Sequence, residues 1–229
     1  MKLSIIIPCY NEKDFLPELI THVIKSSVED KEIILVDDGS QDGTTHVIRT
    51  GIESKVAKVV YHEKNKGKGA AIQSALKYVT GDLVLIQDAD LEYDPREYPK
   101  LITPILDGKA DVVYGSRFIG EGPHRVHLFW HYVGNKFLTI LSNMFTNLNL
   151  TDMETCYKVI KADILRRINL KENGFGIEPE ITAKIAKSGC RIYETGISYH
   201  GRSYSEGKKI NWRDGLLAIY YIIKYRFID

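Results

Sequence analysis

The chain has 229 residues, of which 44% are hydrophobic and 27% are charged, the proportions of an ordinary globular protein. Its formal net charge of +1 gives no reason to expect a nucleic-acid partner. The three cysteines, Cys9, Cys156 and Cys190, form no C-x-x-C pair, so we expect neither a disulfide framework nor a zinc site, and a reducing cytoplasm fits best. No apolar run approaches the ~18 residues of a membrane span, and the stretch before Pro8 is too short for a signal peptide, so we expect a soluble or peripheral protein.

Four short apolar runs alternate with helical patterns in the first half of the chain. We predict strands at Leu3–Ile7, Glu32–Val36, Val56–Tyr61 and Leu83–Gln87. The first run shows no polar alternation, which is typical of a parallel sheet covered by helices on both faces. The sequence therefore predicts an α/β fold with a mainly parallel central sheet flanked by helices.

Three acidic residues follow the fourth predicted strand at alternate positions: Asp88, Asp90 and Glu92. Side chains two apart in extended backbone share a face, so we expect these carboxylates to converge beyond the end of the strand. Clustered carboxylates need a cation or basic neighbours, and Mg²⁺ or Mn²⁺ suits oxygen ligands that are shared with substrate phosphates. The alternative interpretation is a solvated acidic turn that ends at Asp94-Pro95.

The other predicted strands also end in polar loops, at Tyr10 to Glu12, Asp37-Asp38 and Lys66 to Gly69. Ligands of such sheets bind beyond the carboxyl ends of the strands, where all these loops should meet. No dinucleotide or P-loop glycine motif is present, which argues against both chemistries. Asp37 either bonds its own turn or accepts hydrogen bonds from a base or ribose. Gly67-Lys68-Gly69 is either a simple helix entry or a phosphate contact.

The second half of the chain is less regular. Asp111–Tyr114 is a predicted strand, and Val126–Leu150 follows with many large apolar residues and interleaved basic ones. Two interpretations of this segment stay open: a core helix, or a helix lying in a membrane interface. His127 and His131 within it, and His124 just before it, are interpreted as interfacial or surface residues rather than as a metal cluster.

Thr151–Lys158 carries two acidic residues, Asp152 and Glu154, which either close a loop or face the ligand crevice. Beyond it we predict a strand at Val159-Ile160, a helix around Pro179–Ala186 and a strand at Arg191–Tyr199. The segment from His200 to Arg213 is basic and contains glycine, which suits closure over an anionic ligand. An amphipathic helix from Trp212 to Phe227 completes the pattern.

An ordered set of motifs spans nearly the whole chain: Ile7-Pro8-Cys9-Tyr10-Asn11-Glu12, Val36-Asp37-Asp38-Gly39-Ser40, Asn65-Lys66-Gly67-Lys68-Gly69, Asp88 through Pro95, Gly115-Ser116-Arg117-Phe118 and Arg202 through Lys208. The set resembles the family 2 glycosyltransferases with the GT-A fold. Within them it resembles the polyprenol-phosphate hexosyltransferases, of which the dolichol-phosphate mannose synthases are the best-known type. The resemblance implies an inverting transfer of a hexose, mannose or glucose, from a UDP- or GDP-sugar to a polyprenyl phosphate.

The resemblance also implies roles for individual residues. Donor-binding residues are Pro8, Tyr10, Glu12, Asp37, Asp38, Lys68, Asp88, Arg202 and Lys208. Metal ligands for Mg²⁺ or Mn²⁺ are Asp88, Asp90 and Glu92, residues binding the acceptor phosphate are Arg117 and Arg125, and catalytic residues are Asp90, Arg117 and Asp152. Two positions depart from the pattern: Glu92 stands where some relatives carry Gln, and the segment Met153 to Cys156 differs from that of many mannose synthases.

The resemblance divides the single domain, residues 1–229, into a nucleotide-sugar-binding half (1–115), an acceptor-side half with a closing loop (116–211) and a C-terminal amphipathic helix (212–229). It implies a peripheral protein on the cytoplasmic face of a membrane, with a membrane-anchoring partner or a homodimer as further expectations. The alternative reaction keeps the fold and donor but uses a saccharide hydroxyl as acceptor, with Asp152 or Glu154 as general base. A nucleotide-sugar-binding module without turnover is the third alternative.

Overall fold

The structure is a computed structural model, and it describes residues 1–120, 125, 126, 128–201 and 212–228. Its centre is a seven-stranded sheet with the strand order β3-β2-β1-β4-β6-β5-β7. The strands are β1 Leu3–Cys9, β2 Lys31–Asp37, β3 Lys58–Tyr61, β4 Leu83–Ile86, β5 Val112–Ser116, β6 Lys158–Lys161 and β7 Ile192–Gly196. Only β6 runs antiparallel to its neighbours β4 and β5 within this sheet, so the predicted mainly parallel α/β fold is confirmed.

Helices cover the sheet because the central strands bury apolar side chains on both faces. Ile5, Ile34 and Leu85 of the three central strands are fully buried. The helices are α1 Leu16–Lys25, α2 Thr44–Val47, α3 Lys68–Leu76, α4 Tyr98–Leu106, α5 Phe129–Thr146, α6 Ala162–Arg167, α7 Ile177–Lys187 and α8 Trp212–Phe227. A π-helix (Ile48–Ile52) and two 3₁₀ segments (Glu53–Lys55 and Pro95–Glu97) complete the regular structure. Helices α4 and α6 have no counterpart in the sequence prediction.

The acidic segment after β4 does not continue in extended backbone. The strand ends at Ile86, and residues 89–93 form successive bends, so the alternate-face argument for Asp88, Asp90 and Glu92 was wrong. Two contacts explain the change. The buried Gln87 amide oxygen accepts hydrogen bonds from two tyrosine hydroxyls, and Asp90 Oδ1 accepts the Glu92 N–H at 3.1 Å. Such side-chain bonds to nearby backbone compete with a strand.

Helix α5 packs against α8, and most of its apolar side chains point to solvent. Trp130 is 78% exposed and Met144 is 75% exposed, whereas the only buried side chains of this helix are Thr139 and Ser142. Leu138, Leu141 and Phe145 nevertheless pack against the core, so the interpretation as a core helix holds for one face of α5 and not for its exposed face. None of the helices in the described part of the chain has the length and apolar character needed to cross a membrane.

Candidate active site

A cavity of about 850 Å³ opens at the carboxyl ends of β1, β2 and β4. Its lining includes most of the residues that the sequence assigns to the donor: Pro8, Tyr10, Glu12, Asp38, Lys68 and Asp88. The same cavity is lined by Asp90, Glu92 and Arg117. The strand ends therefore bring together the loops that sequence position alone leaves 30 to 80 residues apart.

Asp38 shapes the basic glycine loop. Its carboxylate accepts the backbone N–H groups of Lys66 and Gly67 at 2.9 and 2.7 Å, and it lies 2.6 Å from Nδ1 of His62. Gly67 has φ +99°, a left-handed conformation that glycine adopts without strain. With these bonds made, Asp38 fixes the loop that leads into α3 and still borders the cavity.

Asp37 is not brought to the cavity, although its neighbour is. Its side chain is buried under the loop, where it accepts the Ser40 N–H at 3.1 Å and the Thr45 hydroxyl at 2.5 Å. The structure therefore supports the interpretation of Asp37 as a turn carboxylate that bonds its own backbone. A direct contact with the nucleoside has no support from its position.

Lys68 pairs with two carboxylates at the start of α3. Its Nζ lies 2.8 Å from Asp88 Oδ1 and 3.1 Å from Glu178 Oε1. Burial lowers the pKa of Lys68, but the negative charges of Asp88 and Glu178 outweigh burial and hold it well above its ordinary value. Burial likewise raises the pKa of Asp88, and the Lys68 charge outweighs it, so the pKa lies below its ordinary value. Both groups are therefore charged at neutral pH.

Asp90 and Glu92 border the same cavity but are held by local contacts. Glu92 Oε2 accepts the Tyr199 hydroxyl at 2.5 Å, and Asp90 caps the backbone of Glu92. Across the described residues, no group of three or more His, Cys, Asp and Glu side chains is arranged to hold a metal ion. The predicted three-carboxylate cluster is thus not assembled by these side chains. Asp88 and Asp90 still offer hard oxygen donors in the cavity, which fits a Mg²⁺ or Mn²⁺ site completed by substrate phosphates.

Arg117 is held by Asp152 behind the cavity wall. Nε and Nη2 of Arg117 each lie 2.7 Å from one Asp152 oxygen, and the Arg117 N–H donates to the same carboxylate at 2.9 Å. The guanidinium also stacks 5.2 Å from the Tyr199 ring. Burial lowers the pKa of Arg117, but the Asp152 charge outweighs burial and keeps it raised. Asp152 is fully buried and does not line the cavity, so its position suits the orientation of Arg117 better than contact with substrate.

Glu154 is the lining residue with unsatisfied hydrogen-bonding capacity. Its Oε1 is buried without a hydrogen-bond partner among the described residues. Burial raises the pKa of Glu154 to about 7, with the Glu178 charge adding to the effect. This carboxyl therefore changes protonation state close to neutral pH.

The remaining predicted residues do not line the cavity or fall outside the described structure. Arg125 donates to the Gly201 carbonyl at 2.7 Å instead of facing the cavity. Arg202 and Lys208 lie outside the described residues, as do His124 and His127.

Several residues that line the cavity, or that pair with a residue lining it, were not predicted from the sequence. Glu178 arrives from the first turn of α7, 90 residues after Asp88, and pairs with the buried Lys158. Trp130 and Leu138 of α5 and Ala218 of α8 give the cavity an apolar side. The only sequence signal for the helix side chains was their amphipathic pattern, which does not reveal that the helices border the same cavity as the strand ends.

Solved structures with the same fold are glycosyltransferases. Glucosyl-3-phosphoglycerate synthase from Mycobacterium tuberculosis superposes with a TM-score of 0.76 at 20% identity, over 100% of this chain and 82% of that one. The same enzyme in complex with Mn²⁺ and UDP-glucose gives a TM-score of 0.75 at 18% identity, over 100% of this chain and 80% of that one. At this identity the likeness establishes the GT-A fold.

Characterised relatives share more of the sequence. An undecaprenyl-phosphate mannosyltransferase of Micrococcus luteus is 30% identical over 91% of this chain and 87% of its own length. A dolichol-phosphate mannosyltransferase of Pyrococcus furiosus is 29% identical over 98% of this chain, and the hexosyltransferase Agl6 of Haloferax volcanii is 30% identical over 87%. The chain spans 64% of the Pyrococcus protein and 48% of the Haloferax protein.

The family model for glycosyl transferase family 2 matches residues 4–168, a stretch that contains β1, β2, β4, Arg117 and Asp152. The match covers most of the chain and the loops that follow β1, β2 and β4, where the cavity opens. The protein is therefore a family 2 glycosyltransferase with the GT-A fold.

Proposed function

We propose that this enzyme transfers a hexose, mannose or glucose, from a nucleotide diphosphate sugar to a polyprenyl phosphate. The observation that carries the proposal is the composition of one cavity. Carboxylates at the strand ends, the Arg117 guanidinium and apolar side chains of α5 and α8 all line it. A charged donor, a phosphate acceptor and a lipid chain each find matching chemistry there.

The donor end of the proposal rests on Asp88, Asp90 and the loop around Lys68. A divalent cation held by Asp88 and Asp90 would supply charge neutralisation for the leaving nucleoside diphosphate. Lys68 lies 2.8 Å from Asp88 and brings a further positive charge to the phosphates. Mn²⁺ is bound together with UDP-glucose in the Mycobacterium glucosyl-3-phosphoglycerate synthase, which supports the same arrangement here.

The acceptor end rests on Arg117. A phosphate monoester is largely dianionic at neutral pH, because its second pKa is about 6. Its oxygen forms the new bond to the anomeric carbon, while the bond from that carbon to the nucleoside diphosphate breaks and the electron pair leaves with the diphosphate. Such a nucleophile needs orientation rather than deprotonation. A guanidinium whose Nε and Nη2 are fixed by Asp152 is suited to that orientation, because its positive charge is held in one place at the cavity.

Helices α5 and α8 support a peripheral position on the cytoplasmic face of a membrane. Phe129, Phe137 and Met144 of α5 are 54 to 75% exposed, and Leu216, Tyr220 and Phe227 of α8 are 58 to 76% exposed. An apolar surface of this kind, shared by two packed helices, suits the interface between headgroups and acyl chains. The lipid acceptor would then reach the cavity between the same helices.

The first experiment measures nucleoside diphosphate release from a panel of UDP- and GDP-sugars with Mg²⁺ or Mn²⁺, with and without a short polyprenyl phosphate. We expect release that depends on both the metal and the lipid phosphate, and the productive donor would name the sugar. Release that is unchanged by the lipid but stimulated by a saccharide would overturn the proposal of a lipid phosphate acceptor. Metal-dependent donor binding without release under any acceptor would point to a binding module.

A second candidate, transfer to a saccharide hydroxyl, is favoured by Glu154. A hydroxyl acceptor needs a general base, and the carboxyl of a cavity-lining residue whose pKa is about 7 suits that task. Glu154→Gln separates the candidates. Transfer to a lipid phosphate should persist in this variant, whereas transfer to a hydroxyl should fall by at least about 100-fold.

A further inference from the structure

The glycine loop that leads into α3 rests on another stretch of backbone, residues 171–174, which we name the back loop. The Asn173 carbonyl accepts the Ala70 N–H at 3.0 Å, and the Glu172 carbonyl accepts the Gln73 amide at 2.9 Å. A Cβ atom at Gly69 would overlap the Glu172 carbonyl oxygen. The two backbones therefore touch directly, and a shift of the back loop has to move the start of α3.

The back loop is itself anchored by α7. Glu180 is fully buried, and its two oxygens accept the backbone N–H groups of Lys171 and Glu172, both at 2.8 Å. Lys184, one turn further along α7, lies 2.7 Å from the same carboxylate and balances its charge. These bonds fix the backbone on one side of the back loop.

The C-terminal helix α8 anchors the other side through the Glu172 side chain. Glu172 Oε1 accepts the Tyr225 hydroxyl at 2.5 Å and the Lys224 ammonium at 2.6 Å. Tyr225 is fully buried, and burial of Glu172 is outweighed by these hydrogen bonds, which hold the pKa of Glu172 below its ordinary value. An ionised carboxylate with two donors on one oxygen is a strong, directional link.

Helix α8 thus makes contact with the site in two ways. Its first half contributes Asp214, Gly215 and Ala218 to the cavity wall, and its second half holds Glu172.

We propose that Glu172 is a positioning residue for the donor. It links the position of α8 to the position of Gly67-Lys68-Gly69, so that the packing of α8 sets the affinity for the nucleoside diphosphate. The proposal rests on the proposed function, in which this loop faces the donor phosphates. Glu172 touches no substrate and acts through the backbone of the glycine loop.

Binding of UDP and of GDP, each with Mn²⁺, to the full chain tests the proposal by calorimetry. Tyr225→Phe and Glu172→Gln should each raise the dissociation constant of the nucleotide that wild type binds by about threefold to tenfold. At saturating donor the turnover number should stay within about twofold, because no group at the reacting atoms has changed. Tyr220→Phe is the matched control, since its ring is 58% exposed on the same helix, and it should bind as wild type does.

The outcomes separate this proposal from the function on which it rests. If wild type binds neither nucleotide, the proposed function fails. If wild type binds a nucleotide and both variants bind it with the same dissociation constant, the proposal is overturned. A lower thermal midpoint of unfolding in these variants would then show that Glu172 is merely structural. Gln73→Leu removes a bond to the Glu172 carbonyl from the α3 side, so it tests the same link should Glu172→Gln not fold. If the Gln73→Leu variant binds the nucleotide with the same dissociation constant as wild type, the result would count against the proposal.

Discussion

Two ion pairs border the cavity, and they present opposite charges to it. In the Asp88–Lys68 pair the acid is the more exposed partner, with 28% of its side chain accessible against 13% for the lysine. In the Arg117–Asp152 pair the cation is the more exposed partner, at 10% against 0% for the acid. The first pair therefore offers a carboxylate to a cation, and the second offers a guanidinium to an anion.

The pairs also differ in how firmly the exposed partner is held. Arg117 donates two side-chain hydrogen bonds and one backbone hydrogen bond to the Asp152 carboxylate, which has no access to solvent. Asp88 has its ion pair with the Lys68 ammonium group, which has Glu178 as a second partner. A point charge on a flexible stem can shift toward Glu178 when a metal approaches, whereas the planar fork stays in place. Under the proposed function, the donor side is therefore adjustable and the acceptor side is preorganised.

The largest expected effect comes from removing the exposed charge on the donor side. Asp88→Asn should lower transfer by at least about 100-fold, because the carboxylate that we assign to the cation is lost. Lys68 keeps Glu178 as a partner, so we expect the fold to persist. Initial rates over a Mn²⁺ titration, with donor at saturation, measure the change.

Asp94→Asn is the matched control for this change. Asp94 lies in the same acidic segment, but its carboxylate bonds Arg96 and does not line the cavity. We expect transfer by this variant to stay near the wild-type rate. An Asp88→Asn enzyme with an unaltered Mn²⁺ dependence would remove Asp88 from the metal site.

The acceptor side should respond in turnover rather than in donor affinity. Arg117→Ala should lower the turnover number by about 100-fold, because a preorganised donor to the acceptor phosphate is lost. Its donor KM should change little, and equal losses in both parameters would count against an acceptor role. Steady-state kinetics with each substrate varied in turn measure the split.

Asp152→Asn sharpens the same comparison. The amide keeps the shape of the carboxylate but removes its charge, so Arg117 is less well held and we expect a smaller loss, about tenfold. The unpaired buried cation should also lower stability by several kcal/mol, which a urea titration measures. If this variant instead abolished transfer to a lipid phosphate, Asp152 would act on the reaction itself and the base-free mechanism would fail.

The strand ends could be predicted from the sequence because apolar runs and polar loops alternate with clear boundaries. That pattern was enough to place Tyr10, Asp38 and Asp88 at one edge of a parallel sheet. The pattern could not show which of the two neighbours, Asp37 or Asp38, lines the cavity. Neighbouring residues point in different directions at the end of a strand, and only the bonds of Asp37 to Ser40 and Thr45 show which one turns away.

Contacts that join distant segments were beyond the sequence pattern. Glu178 is an acidic residue in a first helical turn, where helix-dipole stabilisation is the ordinary explanation. Its contact with Lys68 depends on how α7 packs against the sheet. The prediction of extended backbone after β4 was wrong for a related reason. The bend there is accompanied by hydrogen bonds from Tyr98 and Tyr157, which belong to other elements, to the Gln87 side chain.

Glu154 gives a pH-dependent effect on stability. Its pKa of about 7 in the folded protein exceeds the value near 4.3 of an unfolded chain, so the folded state binds the extra proton between these limits. Stability contributed by this group is thus present below about pH 4 and is lost as the pH rises to about 7. Glu154→Gln should be more stable than wild type by roughly 3 to 4 kcal/mol at pH 8 and differ little at pH 4.5.

Urea unfolding of both proteins at the two pH values measures this difference. Because all other titrating groups are shared, subtracting the two curves isolates the Glu154 contribution. A difference that stays constant across the pH range would show that Glu154 has an ordinary pKa and would weaken its candidacy as a base.

The smallest expected effect on the folded molecule lies on the outer face of α5. Phe137→Ser with Met144→Ser replaces two side chains that are 54% and 75% exposed and lie two turns apart on one face. Neither residue lines the cavity, so stability should change by no more than about 0.5 kcal/mol and activity on a short soluble acceptor should persist. Partitioning onto vesicles should nevertheless fall by about tenfold, since both groups would bury apolar surface in the bilayer.

Flotation with vesicles that contain or lack anionic lipid measures this partitioning. Leu106→Ser is the control, because Leu106 is 51% exposed but lies at the end of α4, away from the α5–α8 surface. Recovery of the wild-type protein with the two kinds of vesicle shows whether anionic lipid adds to the binding. Equal recovery of wild type and double variant would show that the exposed face of α5 has no contact with the bilayer. The lipid acceptor would then have to reach Arg117 by a route that does not involve α5. The proposed role of the donor side would not be affected, because it does not depend on the apolar helices.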